Sequence, residues 1–297
     1  TARSVPISAE RRMLHVLPQE YSIDCQDGIK SPIGMSGVRM EAKVHIVTCA
    51  NDMAKNIVKC VERCDLKADQ LIFSALASSY AILTDDEKEL GICVVDMGAG
   101  TMDIAVFTGG ALRHTAVIPV AGNQVTSDIA KIFRTPLSHA EEIKVQYACA
   151  LRQMVSMEEN IEVPSVGGRP ARSMSRHTLA EVVEPRYQEL FELIQEELRE
   201  CGLEDQIAAG YVLTGGTAKM EGVVEFAEEV FQMPARVAQP SDICGLKEYV
   251  NDPTYSTVVG LLHYGMQANQ QQSNEKKKSE SVGSIGSRVL AWFKGEF

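Results

Sequence analysis

A glycine-rich turn between two apolar segments constrains the fold of this chain more than any other feature. The segments GICVVD and DIAVF predict buried strands, and MGAGTM joins them. Glycines permit a sharp turn and bring successive backbone N–H groups close to an anion such as phosphate. Asp96 ends the first strand, where its carboxylate can hold a water molecule of a Mg²⁺ ion, and Thr101 can add a hydroxyl group. A plain glycine-rich hairpin is the alternative, because so short a motif is weak alone.

Apolar periodicity predicts the elements around this turn. The segment ALRHTAVIPV adds a third strand, so residues 91–120 predict a three-stranded meander. Upstream, a short charged helix is predicted near residues 8–13, followed by two strands. The next helix is predicted from Asn51 or Asp52 to about Cys64. Its apolar residues are expected to face inward: Met53, Ile57, Cys60, Val61 and Cys64.

The second half of the chain predicts mainly helices. They span residues 122–133, about 138–151, about 178–201, about 220–231 and 256–267. Pro185 is expected to start or kink the long third helix. An apolar stripe follows that helix: Tyr187, Leu190, Phe191, Ile194 and Leu198.

A second motif places two glycines between a strand and a helix. The segment LTGGTAKMEG contains Gly215, Gly216 and Lys219. A turn of this kind lets a flat base or a ribose lie against the backbone, because glycine has no side chain to block the approach. An ordinary strand–helix corner is the alternative.

A third motif lies on a helix that opens with a capping-box pattern from Ser138 to Glu141. Glu141 and Glu142 precede Lys144, and a carboxylate and an ammonium group on one helical face can hold ribose hydroxyls or a base. The alternative is an ordinary surface ion pair of Glu141 with Lys144, which stabilises little.

The C-terminal residues 281–297 predict an amphipathic helix after the polar run QANQQQSNEKKKSE. The apolar side consists of Val282, Ile285, Val289, Trp292 and Phe293, and the basic residues off this side are Arg288 and Lys294. Aromatic and aliphatic bulk beside basic charge suits the boundary between water and lipid. Docking of this segment back onto its own domain is the alternative.

The charge distribution favours an anionic lipid surface over nucleic acid as the partner of this tail. The whole chain carries a net charge of −11, whereas five basic residues and two glutamates from Lys276 onward give the tail +3. No stretch of eighteen apolar residues occurs in the sequence, so no transmembrane helix is expected.

The three motifs, in this order, resemble the α/β ATPase fold shared by actin, Hsp70 and sugar kinases, which has a ribonuclease H-like core. Within that fold, VVDMGAGTMDIAVFTGGALRH, VPSVGGRPARS, LAEVVEPRYQEL, LTGG and YSTVVGLLHYG are similar to segments of the bacterial cell-division family FtsA. So is the terminal amphipathic pattern after a polar linker. The resemblance covers essentially the whole chain.

The resemblance implies an incomplete first lobe and a complete second lobe. The fold normally has two phosphate-binding hairpins. Only one DxGxGT motif occurs here, at residues 96–101, so the other hairpin is expected upstream of Thr1. The implied domains are a partial FtsA-specific subdomain (1–48), the remainder of the first lobe (49–88), the second-lobe core (89–121 and 205–267), its outer subdomain (122–204), a flexible linker (268–280) and the membrane-binding helix (281–297).

The resemblance also implies a nucleotide site for ATP and Mg²⁺. The β- and γ-phosphates would face Asp96, Gly98, Ala99, Gly100 and Thr101. Glu142 and Lys144 would lie near the ribose and base, with Glu141 as the alternative to Glu142. The adenosine would be bordered by Gly215, Gly216 and Lys219. No residue is singled out as catalytic, and a slow ATPase is the most that is expected.

FtsA-like proteins form actin-like filaments and tether FtsZ filaments to the cytoplasmic face of the cell membrane at the division septum. By resemblance, Arg186 and Glu189 would contact the short FtsZ tail; a solvated pair of these two residues is the alternative. Other division proteins are further expected partners. The rival functions are a soluble ATP-dependent enzyme or chaperone of the same fold and a pilus-assembly relative.

Overall fold

The computed structural model describes residues 4–167, 169–241, 243, 245 and 247–269. Its strands are β1 (Arg11–Ile23), β2 (Gln26–Ile29), β3 (Met40–Ala50), β4 (Ile92–Met97), β5 (Met102–Thr108), β6 (Ala111–Ile118), β7 (Asn160–Val163), β8 (Arg172–Ser175), β9 (Tyr211–Thr214) and β10 (Ala235–Val237). Its helices are α1 (Asn51–Glu62), α2 (Ser74–Ile82), α3 (Asp85–Leu90), α4 (Gly122–Phe133), α5 (Leu137–Tyr147), α6 (Arg176–Glu200), α7 (Val223–Phe231), α8 (Lys247–Val250) and α9 (residues 256–269).

A mixed five-stranded sheet forms the centre of the structure, in the order β10-β9-β4-β5-β6. The strands β4, β5 and β6 are successive antiparallel neighbours, which confirms the predicted meander over residues 91–120. The strand β9 lies parallel to β4, so the ends of both strands reach the same edge of the sheet. Every residue of β4 is buried, as expected for a strand covered on both faces. This topology brings the DxGxGT turn beside the LTGG turn.

A separate antiparallel sheet, in the order β2-β1-β3, contains the N-terminal part of the chain. The helix predicted near residues 8–13 is wrong, because Arg11, Arg12 and Met13 pair with β3. Long-range strand pairing overrides the local helical preference there. The side-chain amide of Gln19 donates to the carbonyl oxygens of Leu112 and Arg113, both at 3.0 Å, and so joins this sheet to β6.

The inward face predicted for α1 is also wrong for most of its residues. Met53 and Ile57 are 64% and 53% exposed, and Cys60 and Cys64 are exposed too. Of the residues of α1, only Ala54 is buried. The apolar face of α1 instead lines an open groove shared with residues 67–72 and α9.

Residues 122–200 form the helices α4, α5 and α6 and the β7–β8 hairpin. The helix α6 continues on both sides of Pro185, so the prediction that this proline starts the helix is wrong. Its predicted apolar stripe is confirmed as fully buried. The capping box predicted at Ser138 does not form: α5 has Pro136 at its N-cap, without a side-chain hydrogen bond.

Candidate functional site

A cavity of about 490 Å³ lies where the three motifs meet. Its walls include Ala99 from the turn between β4 and β5, Lys144 from α5, and Gly216 and Lys219 from the turn after β9. Thr254, just before α9, closes another side. The volume falls within the range of about 300–1,000 Å³ typical of small-molecule sites.

Hydrogen bonds to the carbonyl oxygen of Gly98 join the DxGxGT turn to the LTGG turn and to the start of α4. The carbonyl oxygen of Gly98 accepts hydrogen bonds from the Thr217 hydroxyl at 2.8 Å and from the Gly122 N–H at 3.3 Å. Gly215 has a φ of +86°, and a Cβ atom there would lie 2.6 Å from both Asp96 Oδ1 and Met97 O. Only glycine fits this position, because it tolerates positive φ and leaves room for the adjacent strand end.

Asp96 lies at the end of β4 and is 8% exposed. Its Oδ2 atom accepts hydrogen bonds from Ser78 Oγ at 2.6 Å and from Thr257 Oγ1 at 2.8 Å. Asp103 is its cross-strand partner on β5. Burial, and to a lesser degree the nearby Asp96, raises the pKa of Asp103, although hydrogen bonds from Ser74 and Thr101 oppose this shift. The sheet edge therefore holds two carboxylates beside the turn.

Lys144 is anchored at the cavity wall with only 11% of its side chain exposed. Its Nζ atom contacts Glu141 Oε2 at 2.7 Å, Thr126 Oγ1 at 2.9 Å and Gly122 O at 3.2 Å. Partial burial would raise the pKa of Glu141, but hydrogen bonds from Lys144 and Thr126 lower it overall. These contacts keep the Glu141 carboxylate ionised.

The structure brings Glu141, rather than Glu142, to the cavity. Glu142 is exposed and is absent from the cavity wall. The helical phase decides this, because adjacent residues on a helix point about 100° apart. The cavity geometry thus gives no support to a ribose contact from Glu142. It favours Glu141, the alternative residue.

Lys219 is directed to a partner that sequence reasoning missed. Its Nζ atom lies 2.5 Å from Asp252 Oδ2, and the Thr254 hydroxyl donates to Asp252 Oδ1 at 2.6 Å. Burial alone would raise the pKa of Asp252, but the hydrogen bonds from Lys219 and Thr254 lower it to about 2. No motif marks Asp252, whose only local signal is the following Pro253.

Tyr187 lines the cavity, although the sequence analysis assigned it to the core alone. The residue is fully buried, and its hydroxyl donates to Thr217 O at 2.8 Å. Burial raises the pKa of the phenol, so the hydroxyl stays protonated and remains a donor. Tyr187 therefore connects α6 to the turn after β9 and lines the cavity as well.

Sequence comparison identifies relatives of the whole chain. Residues 93–260 match the family described as "Cell division protein FtsA", and residues 1–48 match the "SHS2 domain inserted in FTSA". The cell division protein FtsA of Escherichia coli K12 is 59% identical over 306 aligned positions, which include 100% of this chain and 73% of that protein. The chain belongs to the FtsA family. Pseudomonas aeruginosa FtsA, at 56% identity, is similar over 100% of the chain and 72% of its own length.

Comparison with solved structures shows that this FtsA-family chain has the actin-like ATPase fold. The PilM–PilN type IV pilus biogenesis complex matches with a TM-score of 0.62 and 16% identity, covering 87% of this chain and 68% of that one. MreB5 of Spiroplasma citri bound to ADP matches with a TM-score of 0.59 and 18% identity, covering 76% and 68%. These similarities confirm the predicted fold class; at such identities they carry no assignment of ligand or partner.

The residues predicted to bind the FtsZ tail contact each other and α4. Arg186 Nε lies 2.6 Å from Asp128 Oδ2, and the same guanidinium group also contacts Glu189. Arg186 is 19% exposed, whereas Glu189 is 52% exposed. Asp128 was not foreseen from the sequence, and binding of a tail here stays a prediction.

The predicted membrane contacts lie outside the described residues: Val282, Ile285, Arg288, Val289, Trp292, Phe293 and Lys294. Most of the predicted linker, from residue 270 onward, lies outside them as well. Within residues 4–269, apart from the few undescribed positions, no helix is both long enough and apolar enough to cross a membrane.

Proposed function

We propose that this FtsA-family chain binds ATP with Mg²⁺ in the cavity between the two turns and α5. The convergence of three separately predicted motifs on one cavity carries the proposal. Neighbours of the same fold include MreB5 bound to ADP and MreB5 bound to AMPPNP. Their nucleotides support a nucleotide in the corresponding cleft here.

The donor groups at the cavity fit the parts of the proposed ligand. The turn offers the backbone N–H groups of residues 99–101 for phosphate oxygens, whereas the Gly98 N–H donates to Thr101 O at 2.9 Å. A Cβ atom built on Gly100 meets nothing within 4 Å, so the turn leaves room for a ligand there. Glu141 and Lys144 would contact the ribose and base, and Gly216 leaves a flat surface for them. Bound Mg²⁺ would neutralise phosphate charge, and Asp96 would hold one of its water ligands.

We further propose that ATP controls assembly and attachment rather than rapid hydrolysis. The chain would polymerise, bind the FtsZ tail near Arg186 and Glu189, and tether it to the cytoplasmic face of the membrane through residues 281–297. A structural neighbour, the MamK double helical filament, matches with a TM-score of 0.56 at 16% identity, covering 73% of this chain and 66% of that one. It supports assembly as a property of the fold.

Two substitutions at one glycine test the nucleotide site. Gly100→Asp places a negative charge at the phosphate end, whereas Gly100→Asn has nearly the same shape and no charge. Because like charges repel strongly at close range, we expect Gly100→Asp to weaken MgATP binding about tenfold or more. Gly100→Asn should bind within about threefold of the wild type.

Equilibrium titration of the full chain with a fluorescent ATP analogue measures both affinities. Thermal unfolding without nucleotide checks that the two variants fold equally well. Absence of saturable binding to the wild type, or equal affinity of the Asp and Asn variants, would contradict a phosphate site at this turn.

A further inference from the structure

Two hydroxyl groups from separate helices hold the carboxylate of Asp96. Ser78 Oγ on α2 and Thr257 Oγ1 on α9 both donate to Oδ2, at 2.6 and 2.8 Å. The two hydroxyl oxygens lie only 3.0 Å apart, so the three groups form a compact cluster. Because each hydroxyl has one hydrogen and gives it to Oδ2, no hydrogen remains for a hydrogen bond between the two hydroxyl groups.

The crossing of α2 and α9 fixes this cluster. A Cβ atom on Gly260 would lie 1.8 Å from the carbonyl oxygen of Ala77, so the two helix backbones touch at that point. Only glycine permits so close an approach. Ser78 is fully buried next to the crossing, and Thr257 lies about one turn before Gly260 on α9. The positions of both hydroxyls therefore depend on the packing of these helices rather than on β4.

The cluster occupies one carboxylate oxygen and leaves the other beside the turn after β9. Both hydrogen bonds found for the Asp96 carboxylate in the described part of the chain fall on Oδ2. Oδ1 lies beside Gly215, in the turn that borders the cavity. Hydrogen bonds to a charged acceptor are short and directional, so two of them on Oδ2 define the plane of the carboxylate.

We propose that Ser78 and Thr257 are positioning residues, which orient Asp96 so that Oδ1 is presented to the metal–phosphate end of the nucleotide site. This inference rests on the proposed binding of ATP and Mg²⁺. Neither hydroxyl contacts the ligand in this proposal; both act through Asp96. Their removal should therefore weaken the metal-dependent part of nucleotide affinity and leave metal-free binding nearly unchanged.

The test uses Ser78→Ala and Thr257→Val, singly and together, in the full chain. Equilibrium affinity is measured for ATP with Mg²⁺ and for ATP with EDTA. We expect the double variant to lose about tenfold in affinity for MgATP, which is close to the lower end of the contribution of one hydrogen bond to a charged group. Its affinity for ATP in EDTA should stay within about twofold of the wild type.

Three further variants separate positioning from a loss of packing. Thr257→Ser keeps the hydroxyl and should retain the affinity of the wild type. Ser79→Ala removes an equally buried hydroxyl of α2, one that donates to Leu76 O instead, and should leave affinity unchanged. In an Asp96→Asn background, Ser78→Ala and Thr257→Val should have no additional effect on MgATP affinity.

The outcomes distinguish this inference from the proposed function. If the wild type binds MgATP and the double variant binds it equally well, the positioning role is wrong and the nucleotide site stands. The same holds if affinity for ATP in EDTA falls as much as affinity for MgATP, or if Ser79→Ala has the effect of Ser78→Ala. If the wild type binds no nucleotide, both the proposed function and this inference are wrong.

Discussion

At the residue scale, Asp252 shows how one carboxylate organises the edge of the cavity. It accepts hydrogen bonds from Lys219 and from both the hydroxyl and the backbone N–H of Thr254. Its pKa of about 2, against an ordinary value of 3.8, means that the folded state favours the ionised form. A group with a lowered pKa stabilises the fold above its ordinary value, and this contribution disappears as the pH falls through the folded-state value.

Asp252→Asn should therefore reduce the free energy of unfolding at pH 7 by about 1 kcal/mol, after allowance for solvent screening of this partly exposed pair. The difference from the wild type should shrink between about pH 4 and pH 2. Urea denaturation at several pH values measures it. Asp69→Asn removes a carboxylate from the exposed Lys67 pair and serves as the control, with no expected change. A pH-independent loss in Asp252→Asn would contradict the assigned contacts.

At the element scale, α6 is fastened to the rest of the structure at its first residue. Arg176 donates to Tyr147 O at the end of α5 at 2.6 Å and pairs with Glu159 at 3.0 Å. The same guanidinium group contacts Glu221, whose backbone pairs with Cys149. These contacts join both sides of the cavity. Glu221 lines the cavity directly, and Tyr147 is the next residue after Gln146, which also lines it.

Arg176→Lys should lower the free energy of unfolding by about 1–3 kcal/mol, since a lysine cannot make three differently directed hydrogen bonds in one plane. It should also weaken ATP-analogue binding. Arg152→Lys is the matched control: Arg152 pairs with Glu184 and its side chain is 55% exposed, so little change is expected. Chemical denaturation and nucleotide titration give both quantities. Equal stability of the two variants would count against the fastening role of Arg176.

The elements also show what could be predicted from the sequence. The turn glycines and the apolar stripe of α6 were predictable, because backbone freedom and burial leave local patterns. The choice between Glu141 and Glu142 depended on how α5 is rotated against α4, which no local pattern fixes. Asp128, Asp252 and the cavity role of Tyr187 depend on contacts between residues far apart in sequence.

At the scale of the whole molecule, a basic tail follows an acidic body. In the proposed membrane attachment, partial burial of its apolar side chains in lipid would give about 5–8 kcal/mol at about 25 cal/mol per Å². Ordering some fifteen residues would cost about 1 kcal/mol or more each, and lipid-surface hydrogen bonding and basic charge would offset part of that cost. One tail would then be a marginal anchor, whereas a row of tails on the proposed filament would bind by avidity. We therefore expect assembly and membrane attachment to strengthen each other.

The combined change Trp292→Asp and Phe293→Asp should reduce sedimentation with anionic vesicles at least about tenfold. Gln271→Asp with Gln272→Asp adds the same charge outside the apolar side and should have a much smaller effect. Vesicle binding of the wild type should rise steeply at protein concentrations that permit filament assembly, as electron microscopy can establish. Undiminished binding of the Trp292 and Phe293 variant, or vesicle affinity independent of assembly, would contradict the anchor.

The contact between Gln19 of the N-terminal sheet and β6 lies at the edge of the central sheet. Within the residues that the structure describes, β6 is the last strand of the central sheet, so its outer backbone groups lack a neighbouring strand. Unpaired strand margins invite other chains to add on and lead to aggregation. The Gln19 amide occupies the two carbonyl oxygens of Leu112 and Arg113 on that margin. A single side chain thus helps to protect the end strand of the central sheet from pairing with another chain.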